Sequence, residues 1–423
     1  MLERLGEAYE RVGNPEAAVE AWNEAMVERE RAGDAVASAR LRSQLALAEW
    51  NRGYLGIAEA HMNTGLAALA GLEPCQELAD LLLVKSYILS RTGDVAGQAS
   101  VAADLLLVAK RLESPRAEAE ANLVAAHSSV WQRDITRARD HALRALMIGE
   151  KEQDLWIRCR AHLSLIMMDT LLGDHRLALS DAERGLAVAE RLGSPNTEAL
   201  LRVYLAHSGF IAGEWEDSIS HCAEAVSLAR RVGYPRDIAF SLAERAMILT
   251  FQGHLREAET CISEATSTFG GGMVADRVVF GLIDIAKTAL ALELGQGMHA
   301  LDISRGFVCQ PNPTATLAGL TIWLMPMGLM LLAEAQVAAG EPETALETAG
   351  KLSVLGPAGA PYLTALASRA EGLAYYSLGR WEDASASLIR AYELFTSLEI
   401  PFEAARSLLE HAIVIAPAQP ELV

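Results

Sequence analysis

The sequence predicts an all-α solenoid of about ten antiparallel helix pairs. Three observations carry that expectation. Glycines that close helical runs recur at a fixed period; a small residue follows each at a fixed distance; and the apolar set is dominated by Ala and Leu, with aromatics at only 6%. A long chain with a fixed internal period of this length is read as a stack of supersecondary units, each burying its apolar face on its neighbours.

The period is 40 residues. Gly13, Gly53, Gly93, Gly173, Gly213 and Gly253 keep it without a slip, and Arg133 fills the missing place. Gly295, Gly340 and Gly379 continue the series at intervals of 42, 45 and 39. Glycine takes positive φ without a Cβ penalty and so ends a helix. The acidic or Asn residues after it, as in Gly13-Asn14-Pro15-Glu16 and Gly173-Asp174, suit the start of the next helix. Five residues past the turn stand Ala18, Ala58, Ala138, Ala178, Ala258, Ala300, Ala345 and Ala384, with Ser218 nearly as small and Gln98 the exception. A small residue there lets the second helix cross the first at close range. A second break, such as Arg191-Leu192-Gly193-Ser194-Pro195, closes each second helix.

The rhythm falters between Thr266 and Thr316. Gly270-Gly271-Gly272 replaces the usual link, and the run from Gly306 to Thr314 holds two prolines and cannot be helical. The expected partition is 1–265 regular repeats, 266–316 an irregular repeat with a Gly/Pro-rich loop, 317–400 further repeats, 401–415 a capping helix and 416–423 a disordered tail. The apolar stretch Leu317–Ala333 is short for a membrane span and has Pro326 inside it, so a buried repeat helix is expected there. In the repeat frame the first helix starts at about residue zero with no cap before Met1. This suggests a segment excised from a longer protein.

The first unit carries Leu5, Gly6, Tyr9, Gly13, Ala18, Trp22 and Ala25, and the last keeps Gly372, Tyr375, Gly379, Ala384 and Ala391. On these residues the chain resembles the tetratricopeptide-repeat (TPR) superfamily over about residues 1–400. The common TPR period is about 34 residues. The longer one here is similar to the MalT-like variant found in bacterial signalling ATPases, transcription regulators and multidomain cyclases. The resemblance implies a right-handed superhelix that binds a protein, a peptide or a small effector. It further implies a cytoplasmic sensor or regulatory module next to an ATPase, cyclase or regulatory domain, or else a free-standing adaptor.

Composition narrows the function from the other side. The formal net charge of −19 disfavours phosphate backbones and anionic lipid as partners. Cys75, Cys159, Cys222, Cys261 and Cys309 show no metal spacing and are expected as reduced thiols. No nucleotide loop, zinc-protease motif or nucleophile elbow occurs, so no catalytic residue, cofactor or metal is expected and the chain is not read as an enzyme. His61, His141 and His221 share one repeat position and are expected to be structural.

The inner face is the expected binding surface, since the TPR resemblance puts the first helix of each pair there. Positions six, three and two before the turn supply Trp50, Tyr87, His127, Trp131, Met167, His207, Phe210, Met247 and Phe251. Exposed apolar and aromatic surface in an acidic chain commonly marks a groove. Close winding of the superhelix would instead bury these residues on the chain itself. Exposed apolar end repeats also make a homodimer an open expectation.

Overall fold

The computed structural model describes residues 1–11, 14–92, 94–269, 277–308, 324–355 and 360–416. Among the described residues there are twenty-one α-helices and no strand. They form ten successive pairs: α1 (Leu2–Arg11) with α2 (Pro15–Arg31), α3 (Ala35–Arg52) with α4 (Leu55–Ala68), α5 (Gln76–Thr92) with α6 (Val95–Leu112), α7 (Pro115–Trp131) with α8 (Ile135–Lys151), α9 (Leu155–Leu172) with α10 (His175–Leu192), α11 (Pro195–Ala212) with α12 (Trp215–Val232), α13 (Pro235–Phe251) with α14 (Leu255–Phe269), α15 (Arg277–Glu293) with α16 (Gly297–Val308), α17 (Met325–Ala338) with α18 (Pro342–Ser353), and α19 (Pro361–Ser377) with α20 (Trp381–Ser397). A final helix, α21 (Pro401–Ile415), packs on α20. Gly306, Phe307 and Val308, expected outside any helix, form the end of α16, because the prolines that forbid a helix come only at 311 and 313. The triple glycine, the rest of the Gly/Pro-rich loop from Cys309, and the tail 417–423 lie outside the described residues, as do Gly13 and Gly93.

The turn logic holds where it is visible. Gly53, Gly173, Gly213, Gly253, Gly295, Gly340 and Gly379 all have φ between 71° and 89°. Arg133, in the place of a glycine, takes the same left-handed conformation at φ 63°. Asp174 then caps α10 by accepting a bond from the Leu177 backbone N–H, and Asp134 does the same for Arg137. The small residues five positions on are sealed in the helix crossings: Ala18, Ala58, Ala138, Ala178 and Ala258 are wholly buried. Gln98, the exception, is buried as well, with its Oε1 lacking a hydrogen-bond partner.

Winding brings distant pairs together. The second pair meets the seventh, where the Arg236 guanidinium lies 5.6 Å from the Trp50 ring. The fifth meets the tenth, where His175 stands edge-on to Tyr362 at 4.8 Å between ring centroids. The sixth and seventh meet α21, whose Phe402 ring lies 5.9 Å from Phe210, 4.9 Å from Trp215 and 5.5 Å from Phe251. One superhelical turn therefore takes five pairs, and successive turns touch along a seam.

The seam passes over two of the turn glycines, Gly173 and Gly213, and leaves Gly253 clear. A Cβ on Gly213 would meet Pro401 Cγ at 2.8 Å, whereas one on Gly253 would meet nothing within 4 Å. Gly253→Ala is expected to cost about 1 kcal/mol, from left-handed strain alone. Gly213→Ala is expected to cost about 1–3 kcal/mol more, because the same strain is joined by overpacking. Urea denaturation of both variants measures the difference, and equal losses would mean that the seam is not closed in solution.

His175 contributes a pH dependence to the same seam. It is 2% exposed, and neither ring nitrogen has a hydrogen-bond partner. Burial, then the neighbouring His207, holds its pKa down at about 3. The unfolded chain takes up this proton near pH ~6.5 and the folded chain does not. Stability is therefore full above that pH and falls as the pH drops toward the folded value. Thermal melts across this range are expected to show a shallower acid loss for His175→Phe than for the parent chain.

Candidate functional site

The inner face is built from the first helices of the pairs, and its character changes along the chain. From the second to the fifth pair, Leu47, Trp50, Tyr87, His127 and Met167 are half-buried. From the sixth pair on, His207, Phe210 and Met247 are buried. The cause is α21 and its neighbours, which lie over the sixth and seventh pairs. Phe402 fills the space in front of Phe210 and Phe251, and only a mostly apolar cavity of about 30 Å³ remains, bordered by Tyr362, Glu334 and Arg406.

The half-buried part is organised around an alternation of rings and guanidinium groups. The Trp50 and Tyr87 rings are 5.3 Å apart. Arg160, from α9, stands 4.9 Å over the Tyr87 ring and donates to its hydroxyl. Arg236, from α13, lies beside both Trp50 and Phe240, the latter at 5.8 Å. Five side chains from α3, α5, α9 and α13 thus form a run in which each cation faces a ring, an arrangement that gains most when partly desolvated. Burial pushes the Tyr87 hydroxyl up to about 12, so at neutral pH it is a neutral phenol.

Next to this run lie two carboxylates. Glu120 is 2% exposed; its Oε1 is 3.5 Å from Arg116 Nε, and its Oε2 has no hydrogen-bond partner. Asp80 accepts from Gln76 at 2.9 Å. Burial raises the pKa of both, only partly offset for Glu120 by Arg160 and Arg116. His127 is 3.3 Å from Ser164, and burial followed by Arg160 holds its pKa down at about 4, so it is neutral at physiological pH.

Asp80, Glu120, Arg160 and Phe240 all stand thirteen residues before the turn position, a row that the sequence reading passed over. It could have been found by extending the period of 3.6 residues two turns further back from the position at six. The expected residues also fall into separate places. Trp50, Tyr87 and His127 share the half-buried wall; Met167 packs partly on the central core. His207 pairs with the buried Glu244 at 2.8 Å, and Met247 is fully enclosed. Phe210 and Phe251 stack on each other at 5.6 Å under Phe402. Trp131 ends α7, and its side chain lies outside the described residues. His61, His141 and His221 each contact the first helix of their own pair, at Arg42, Asn122 and Arg202.

No family model matches the chain, and no curated protein matches it in sequence. Its fold does match solved structures. A Rap protein complexed with competence and sporulation factor is similar at a TM-score of 0.60 and 14% identity, over 86% of this chain and 99% of that one. The likeness shows the fold, a solenoid of stacked helix pairs. Below a TM-score of 0.5 stand aspartyl phosphate phosphatase F from Bacillus subtilis, at 0.48 with 15% identity over 84% of this chain and 94% of that one. A signal-transduction ATPase with a tetratricopeptide repeat sensor from Pyrococcus horikoshii stands at 0.47 with 12% identity, over 90% of this chain and 55% of that one. Among the described residues no helix is long and apolar enough to cross a membrane.

Proposed function

We propose that the chain is a non-enzymatic binding scaffold, the sensor or regulatory module of a larger bacterial signalling or transcription-regulating protein. Its ligand is a peptide, a protein segment or a small effector held on the inner face between the second and fifth pairs. The observation that carries this reading is the half-buried run of Trp50, Tyr87, Arg160 and Arg236, which joins different superhelical turns. A ligand that inserts between these groups must alter contacts within a turn and across a seam together. Binding is thereby coupled to superhelical pitch, and pitch is a signal that an attached domain can read. The similar Rap protein is one solved in complex with competence and sporulation factor. The same surface would also serve an adaptor in the cytoplasm, and both readings share one test.

The test is a selection of random displayed peptides on the intact chain, with counter-selection on a Trp50→Ala, Tyr87→Ala variant whose helicity is checked by circular dichroism. Peptides that bind the parent and lose at least about tenfold on the variant are expected, since aromatic anchors carry much of the affinity of such surfaces. Peptides that bind both proteins equally would refute the inner-face assignment.

A further inference from the structure

Resting on the inner-face reading, we propose that the wall between Asp80 and Glu120 is a subsite for a cationic side chain, the guanidinium or ammonium of an Arg or Lys in a bound peptide. Two independent observations meet there. The first is the orphaned Glu120 Oε2, an acceptor on a carboxylate that is 2% exposed. Buried polar atoms are nearly always hydrogen-bonded, so an acceptor left open marks a place where a donor belongs. The second is what the wall already holds. The chain lays its own Arg160 on Tyr87 and its own Arg236 on Trp50, so the ring faces here are shaped for cations.

The local charges fit the same ligand. Arg116 and Arg160 stand against Asp80 and Glu120, but Arg160 is drawn to the Tyr87 hydroxyl and the Arg116 side chain is 55% exposed. Asp80 and Glu120 occupy the same place in consecutive repeats, so a peptide running along the inner face passes both in turn. A neutral or anionic side chain would leave Glu120 Oε2 unpaired and would face two carboxylates; a cation satisfies it with a charge-assisted bond.

The experiment uses fluorescein-labelled pentapeptide pools, randomised except for a central Arg, Lys, norleucine or Glu, and spermidine as a free polycation. Anisotropy is read on the intact chain, on Glu120→Gln and on Trp50→Ala. The Arg and Lys pools are expected to bind about tenfold or more tightly than the norleucine pool, and Glu120→Gln to erase that preference while its melting temperature holds. Binding by all pools alike, weakened by Trp50→Ala, would overturn the cation subsite and leave the inner-face reading standing. So would a cation preference that Glu120→Gln leaves intact. Spermidine competing as well as the Arg pool would transfer the subsite to a free polyamine and overturn the peptide assignment. No saturable binding by any pool would overturn the inner-face reading and the subsite with it.

Discussion

Replacing Arg369 by methionine is expected to destabilise the chain by about 3–5 kcal/mol, one of the two largest effects predicted for this protein. Arg369 is fully buried in α19. Its guanidinium pairs with Glu334 of α17 at 2.7 Å and with Glu410 of α21 at 2.5 Å, and it reaches Glu403 of α21 at 3.4 Å. Arg406 adds a second cation, 2.9 Å from Glu334. Removing Arg369 leaves three largely buried carboxylates to share one guanidinium, and an uncompensated buried charge costs far more than the pair contributes. The direction of each pKa follows from position. Burial alone would push Glu334 up, but it sits between Arg369 and Arg406 and is brought down to about 2. Glu410 is raised, because burial outweighs its single strong partner and Glu334 repels it. Protonating Glu334 therefore removes stability: its contribution is complete above the ordinary carboxylate pKa of about 4.3 and is lost as the pH falls toward 2. Urea denaturation at neutral pH gives the size of the effect. A Glu334→Gln variant that shows the same acid loss as the parent would place the acid sensitivity elsewhere.

The cluster ties together α17, α19 and α21, the three helices that close the far end of the inner face. None of this is readable from spacing alone. Arg369 stands ten residues before a turn glycine, a position filled elsewhere by Ser43, Leu83, Leu123 and Leu163. The repeat itself was legible because its two requirements are local and steric: a left-handed residue to end one helix and a small one to cross the next. Even Arg133 gave way to that demand and adopted positive φ. The pitch of the superhelix was not legible, because it is set by contacts between pairs five units apart. Residues such as Tyr362 and Phe402 meet partners far along the chain, and their positions carry no periodic mark. For the same reason Phe210 and Phe251 read as open groove residues in sequence and are covered in the structure, while Trp50 and Tyr87 are half-buried on the inner wall.

That difference makes Phe402 the residue that decides whether the seam is a fixed joint or a movable one. Its ring packs against Phe210, Trp215 and Phe251, each within 5.9 Å, and Arg406 lies 5.6 Å above it. Truncating a large aromatic in such a cluster is expected to cost about 2–4 kcal/mol, from lost burial and lost ring pairs. α21 keeps a separate anchor, since Val414 packs with Leu388 and Ala384 of α20. Phe402→Ala should therefore free the seam without releasing the helix. Small-angle scattering is expected to show a larger radius of gyration, and hydrogen exchange to rise in α11 and α13 before the ends of the solenoid. If both stay unchanged, the turns are held by the other seam contacts, Arg236 on Trp50 and His175 on Tyr362, and Phe402 is packing material. If the seam opens, the two pitches differ in energy by little more than one aromatic cluster. A ligand on the inner face then needs only a comparable preference for one pitch to shift the whole superhelix.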